Sequence, residues 1–288
     1  MYMNNFIISS ESACDLTKEQ IEKNNFKVAS MNFKLGNKDY NSNDNITTNE
    51  ICEKMLQGEN MQTFQINEYE AKEYLTKLLE EGKDILHISF SSAMSGTYNN
   101  FKKVSEELNK TSKNKIYVVD SLCQSLGLGL LMILANEESN KNNWNINECI
   151  KFIEDTKLHI AHSFTVDTLK FLAKGGRIPP TLALVGNLIN LKPILHLSNE
   201  GKITQQQKVI GRRKSLNILI EKFKENFNGK FNKLFISESN SLDDANLVAN
   251  IIKKDFPNLE IVINELGPVI VSHSGPGVIA MYYSVDNR

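Results

Sequence analysis

Charge of one sign is missing from this chain: 33 Lys and Arg stand against 34 Asp and Glu, leaving a net charge of −1 at pH 7. The charges are mixed along the sequence, which excludes the broad basic face that a nucleic-acid-binding protein presents. Long apolar runs are missing too, and those present are too short to span a bilayer. The first residues, Met1–Asn5, lack the basic start and long apolar core of a secretory signal, so the expected location is the cytoplasm. Cysteine is scarce, and Cys14, Cys52, Cys123 and Cys149 lie far apart in no metal-ligand spacing. They fit reduced, packed thiols, and neither a metal nor a cofactor is expected.

What is present suits an ordinary globular protein. At 288 residues, 41% hydrophobic and 23% charged, the chain can bury a sizeable core in one large domain or two smaller ones. It is organised around Ser89–Asn100, SFSSAMSGTYNN. Ahead of this stretch, Ile85, Leu86 and Ile88 form a short apolar run that reads as a buried strand. Beyond it, Phe101, Val104 and Leu108 recur at helical spacing, and Ser95, Gly96 and Thr97 supply cap residues. A strand, a Ser-Gly-Thr turn and a helix together present free N–H groups and hydroxyls to an anion. Ser95 as a plain helix cap is the competing reading.

Short strands alternate with helices along the first half. Strands are expected at Phe6–Ser10, Lys27–Leu35, Asp84–Ser89 and Lys115–Asp120, and helices at Thr17–Asn24, Thr47–Leu56, Glu68–Leu79 and after Gly96. Gly36–Asn49 and Gly58–Asn67 read as loops, the latter holding Thr63 and Gln65. Such alternation predicts a mostly parallel sheet covered on both faces, with a ligand at the carboxyl ends of its strands. Gly127 and Gly129 lack the third glycine of a dinucleotide fingerprint and sit in a helical pattern, where close packing is their expected role.

The polar stretch Glu137–Asn147 marks an expected boundary between residues 1–147 and 148–288. In the second half, strands are expected at His159–Val166, Lys192–Leu197, Ile203–Val209, Lys233–Ser237 and Glu260–Asn264. Helices are expected at Asp167–Ala173, Thr181–Ile189, Arg212–Asn226 and Leu242–Asp255. The segment from Leu266 to Gly277 reads as an apolar strand entering a Gly-rich turn before a last helix, with His273 and Ser274 at the strand end.

Seven motifs, in order, resemble the DegV family of fatty-acid-binding proteins, the acyl-carrier partners of fatty acid kinase. They are Glu11-Ser-Ala-Cys-Asp-Leu16, Thr63-Phe-Gln65, Ser91-Ser-Ala-Met-Ser-Gly-Thr-Tyr98, Val119-Asp-Ser121 with Gly127-Leu-Gly129, Val166-Asp-Thr-Leu169 with Lys174-Gly-Gly-Arg-Ile178, Leu191-Lys-Pro-Ile-Leu195, and Gly267-Pro-Val269 with His273-Ser-Gly-Pro-Gly277. The resemblance implies two α/β domains, the first a mostly parallel Rossmann-like sheet flanked by helices, the second a smaller α/β sandwich. A long-chain, palmitate-like fatty acid would lie between them with its tail in an apolar tunnel. It implies Thr63, Ser95, Gly96 and His273 at the carboxylate, with Arg177 and Ser274 nearby.

The chain departs from the family pattern in places. Ser10-Glu11-Ser12-Ala13 stands where the family shows Thr-Asp-Ser-Thr, and Phe64 and Ile66 flank Gln65 where it shows a proline-flanked loop. Ile210 replaces an arginine tied to the kinase partnership, so that partnership depends on Arg212 or Arg213 taking its place. A lipid-responsive regulatory protein is the alternative to a carrier. A serine hydrolase built on Ser95 and His273 is a weaker one, because no glycine stands two residues before Ser95 to form a nucleophile elbow. No catalytic residue is otherwise assigned.

Overall fold

The structure is a computed structural model that describes residues 4–183 and 190–288. Strand β1 (Phe6–Glu11) is buried at all six positions, the pattern of a strand covered on both faces. After a 3-10 turn at Ser12–Cys14, a capping box between Thr17 and Gln20 opens α1 (Lys18–Lys23). The chain returns as β2 (Lys27–Ala29), parallel to β1. The single strand expected over residues 27–35 is broken. Met31 N–H faces the hydroxyls of Ser12 (3.1 Å) and Ser42 (3.2 Å) instead of a ladder partner, and β3 (Asn32–Leu35) joins a different sheet.

That second sheet has three antiparallel strands: β3, β4 (Lys38–Asn41) and, across β3, β5 (Met61–Thr63). Part of each expected loop is therefore strand, and Thr63 sits at a strand end. Capping boxes open α2 (Thr48–Leu56) and α3 (Glu68–Leu79). Strand β6 (Asp84–Ser89), helix α4 (Thr97–Leu108) and strand β7 (Ile116–Asp120) complete the parallel sheet in the order β2-β1-β6-β7. Its three strand pairings are all parallel, which matches the expected Rossmann-like arrangement.

The polar stretch 137–147 is the end of α5 (Ser125–Asn142) and the start of α6 (Ile146–Thr156), whose cap Asn145 accepts from the N–H groups of Asn147 and Glu148. From Leu126 to Ala135 every residue of α5 is buried, so this stretch has no wet face. It packs on α6 and also on three strands of the following sheet. Gly127 and Gly129 are needed for that closeness: a Cβ on either would meet the His162 ring or the Cys14 carbonyl.

The remaining elements are β8 (Ile160–Thr165), α7 (Lys170–Lys174), α8 (Pro180–Ala183), β9 (Leu191–Leu197), β10 (Ile203–Ile210), α9 (Arg212–Asn226), β11 (Lys233–Ser239), α10 (Leu242–Asp255), β12 (Glu260–Glu265), α11 (Pro268–Ser274) and β13 (Val278–Ser284). The helix expected over residues 181–189 is described only to Ala183; residues 184–189 lie outside the described ones. The strands form a six-stranded sheet, β10-β9-β8-β13-β11-β12, antiparallel except for β11 with β12.

The expected order at the end of the chain is reversed. Pro268 occupies the first turn of α11, where its fixed φ suits a helix and its missing N–H leaves nothing unpaired. The last element is then a strand: β13 is buried at all seven positions and pairs on both edges, with β8 and β11. His273 thus lies in the last turn of a short helix, not at a strand end. One apolar core runs through both halves, from Phe6 and Ile88 to Phe164 and Tyr282, and a second belongs to the C-terminal half alone. Among the described residues no helix is long and apolar enough to cross a membrane.

Candidate functional site

Between the two halves lies a cavity of about 650 Å³, within the usual size of a small-molecule site. Its apolar walls come from both halves, among them Phe90, Met94, Phe164, Ile203, Val269 and Ala280. Thr63, Ser95, Gly96, Arg177, His273 and Ser274, scattered over more than two hundred positions of sequence, all line this one cavity.

Thr63 closes β5, and its Oγ1 lies 2.8 Å from Nε2 of His273 on α11, a bond across the two halves. The His273 ring packs against Gly175, where a Cβ would come within 2.2 Å of Nδ1. Burial pushes the imidazole down to about 4, and the neighbouring Arg177 guanidinium acts in the same direction. His273 is therefore neutral at pH 7. Arg177 is half-buried, donates to the Gly175 carbonyl and has no carboxylate partner among the described residues. Burial alone lowers its pKa. A cation held half out of water without a counter-charge attracts an anion.

Ser95 and Gly96 stand where the β6 strand gives way to α4. The Ser95 hydroxyl lies 2.9 Å from that of Thr97 and accepts from the Thr97 N–H at 3.3 Å. The carboxamide of Gln65 lies against Gly96, occupying the place a Cβ would take. Ser274 is committed locally, its hydroxyl donating to the Ile270 carbonyl at 3.0 Å. Ser95 pairs with Thr97 and His273 with Thr63, so the serine–histidine pair of a hydrolase is not assembled.

The turn carrying Ser95 is held from beneath by groups the sequence did not reveal. Glu11, fully buried, accepts from the Phe90 N–H (3.0 Å) and the Ser89 hydroxyl (2.5 Å) and meets His87 Nε2 at 3.1 Å. Burial works against its ionised form, but His87 and these hydrogen bonds outweigh it and hold the carboxyl below its ordinary range. His87 in turn meets Ser9 Oγ at 2.7 Å and stacks on Phe101. A lone histidine in an apolar strand gives no signal of such a partner. Gln65 was visible only as part of a motif, and Gln124, which also lines the cavity, gave no signal at all.

Ile210 is 67% exposed at the end of β10. Arg212 is engaged within the fold: its Nε donates to Asp244 (2.7 Å) and its Nη1 to the Gly277 carbonyl (2.7 Å), and it does not line the cavity. Arg213 is exposed beside it.

A parallel α/β half and a mostly antiparallel one, closing on an apolar cavity with a cationic, hydroxyl-rich end, define a class of two-part α/β proteins with an amphiphilic cavity. The family model described as "Uncharacterised protein, DegV family" matches residues 5–286, and the chain belongs to the DegV family. A DegV domain-containing protein of Clostridium perfringens is 32% identical over 290 residues, covering 99% of each chain. Among solved structures, a DegV family protein of Thermus thermophilus described for its fatty acid binding superposes with a TM-score of 0.87 at 26% identity, covering 98% of this chain and all of that one. A DegV lipid-binding protein of Thermotoga maritima gives 0.83 at 26% identity and 99% coverage of each.

Proposed function

We propose that the protein binds one long-chain, palmitate-like fatty acid in this cavity, with the carboxylate at Thr63, Ser95, Gly96 and His273, Arg177 and Ser274 beside it, and the tail along the apolar walls. The observation that carries the reading is Arg177, a half-buried cation with no ion-pair partner among the described residues, lining a cavity whose walls are largely apolar. Fatty acid and lipid binding by the Thermus and Thermotoga relatives supports it. The energetics fit: about 0.8 kcal/mol per buried CH₂ gives a long tail on the order of 10 kcal/mol before ordering costs. Each hydrogen bond to the carboxylate adds roughly 1.5–3 kcal/mol. The tail sets affinity, and the head sets orientation.

In this reading residues 1–147 and 148–288 act as two domains around the lipid, and the protein is a non-catalytic cytoplasmic carrier in fatty acid uptake, transport or activation. It presents the bound acid to a fatty acid kinase only where a cation near Ile210 is supplied. Native mass spectrometry of the purified protein is expected to show one bound acid, identified after lipid extraction. A ligand-free preparation that also takes up no acid from myristate to stearate would refute the proposal.

A further inference from the structure

One amide lining the cavity stands on an element that carries none of the residues placed at the carboxylate. Gln124 is only 8% exposed and lines the cavity on the wall formed where β7 passes into α5. Its backbone N–H donates to His162 Nε2 at 3.2 Å, but its carboxamide makes no hydrogen bond to any described residue. Gln124 occupies the cap position of α5, in extended backbone (φ −137°, ψ 159°), yet its side chain does not cap the helix. On either side Leu122 (φ 51°) and Ser125 (φ 52°) take the left-handed conformation that residues with a Cβ seldom adopt. The turn is bent against local preference, and an amide faces the cavity as a result.

Two hydroxyls that also line the cavity are already engaged. The Ser125 hydroxyl donates to Asp15 at 2.6 Å, and the Ser274 hydroxyl is taken by Ile270. Phe164 and Ile203, also lining the cavity, offer Gln124 nothing to bond. A plain hydrocarbon tail laid against this amide would strip it of water and leave both its donor and its acceptor unpaired. A site that contains such a group discriminates strongly against a ligand lacking the matching one, whereas an apolar pocket barely rejects an added hydroxyl.

We infer that the cavity reads an oxygen on the tail: the preferred ligand is a long-chain hydroxy acid whose hydroxyl donates to Gln124 Oε1 and accepts from Nε2. The inference rests on the fatty-acid reading and narrows it.

The test is displacement of fluorescent cis-parinarate from the delipidated protein by stearate and by hydroxystearates with the hydroxyl moved stepwise from mid-chain to the ω carbon. At least one hydroxystearate is expected to bind wild type about tenfold more tightly than stearate. Gln124→Leu, similar in volume, is expected to erase or reverse that preference while binding stearate at least as well. Stearate binding as tightly as every hydroxystearate in wild type, or a preference that survives in Gln124→Leu, overturns the inference and leaves the fatty-acid reading standing. Failure of parinarate and of every acid to bind wild type overturns both.

Discussion

A methyl group at position 175 would lie 2.2 Å from Nδ1 of His273, although the backbone there (φ −76°) suits any residue. Gly175→Ala is therefore expected to displace the imidazole that holds Thr63, weakening fatty acid binding more than it lowers thermal stability; unchanged affinity by calorimetry would separate His273 from the ligand. Ser95→Ala and Thr63→Ala each remove a hydroxyl from the polar end of the cavity. Both are expected to weaken binding by about 1–3 kcal/mol, the usual loss when a buried or charged partner loses one hydrogen bond. Circular dichroism should show the fold intact. If both variants bind palmitate as wild type does, the carboxylate lies elsewhere in the cavity.

The junction of β10 and α9 bears on the proposed kinase partnership. Arg212 ties the start of α9 to Asp244 on α10 and to the carbonyl just before β13, so it works as a brace between elements. Arg212→Ala is expected to lower stability, while Ile210→Arg is expected to raise turnover by a fatty acid kinase without changing lipid affinity, because phosphoryl transfer needs positive charge and tail burial does not. Full wild-type turnover that disappears in Arg212→Ala/Arg213→Ala would assign the role to those arginines. Elements were legible in the sequence where a local pattern decided them. The β6 run and the serine, glycine and threonine after it specify a strand and a helix start within a dozen residues. The end of the chain was not legible, because Val269–Val271 is too short an apolar run to show a period. Its helix depends on Pro268, and β13 on two strands that enclose it. The break between β2 and β3 depends on hydroxyls of Ser12 and Ser42, each more than ten residues away. The candidate site followed the same division: motif hydroxyls could be read locally, whereas the Glu11–His87 pair and the amide of Gln124 acquire meaning only through their surroundings.

Across the whole molecule, Asp15 ties the halves together, accepting from Gly267 N–H (3.1 Å) and from Ser125 (2.6 Å). Burial pushes its carboxyl up to about 7, against hydrogen bonds that favour the ionised form. The folded state thus holds this proton more tightly than the unfolded one, so its stabilising effect is complete below the ordinary carboxylate range and is lost as pH rises through about 7. Asp15→Asn, neutral throughout, escapes that loss. Between pH 5 and pH 8 the stability difference between variant and wild type, from urea melts of delipidated protein, is expected to move in favour of the variant by on the order of 2–4 kcal/mol. Parallel pH profiles would mean that Asp15 stays ionised in the fold. The burial of α5 has a consequence for synthesis. Its apolar surface from Leu126 to Ala135 rests partly on β11 and β13, which leave the ribosome well after it. Until β11 and β13 are made, with translation at about 5–20 residues per second, that helix lacks part of the sheet that covers it. The nascent chain is thus a natural client for chaperones, and one released early at any point before Ser284 leaves a sticky helix exposed.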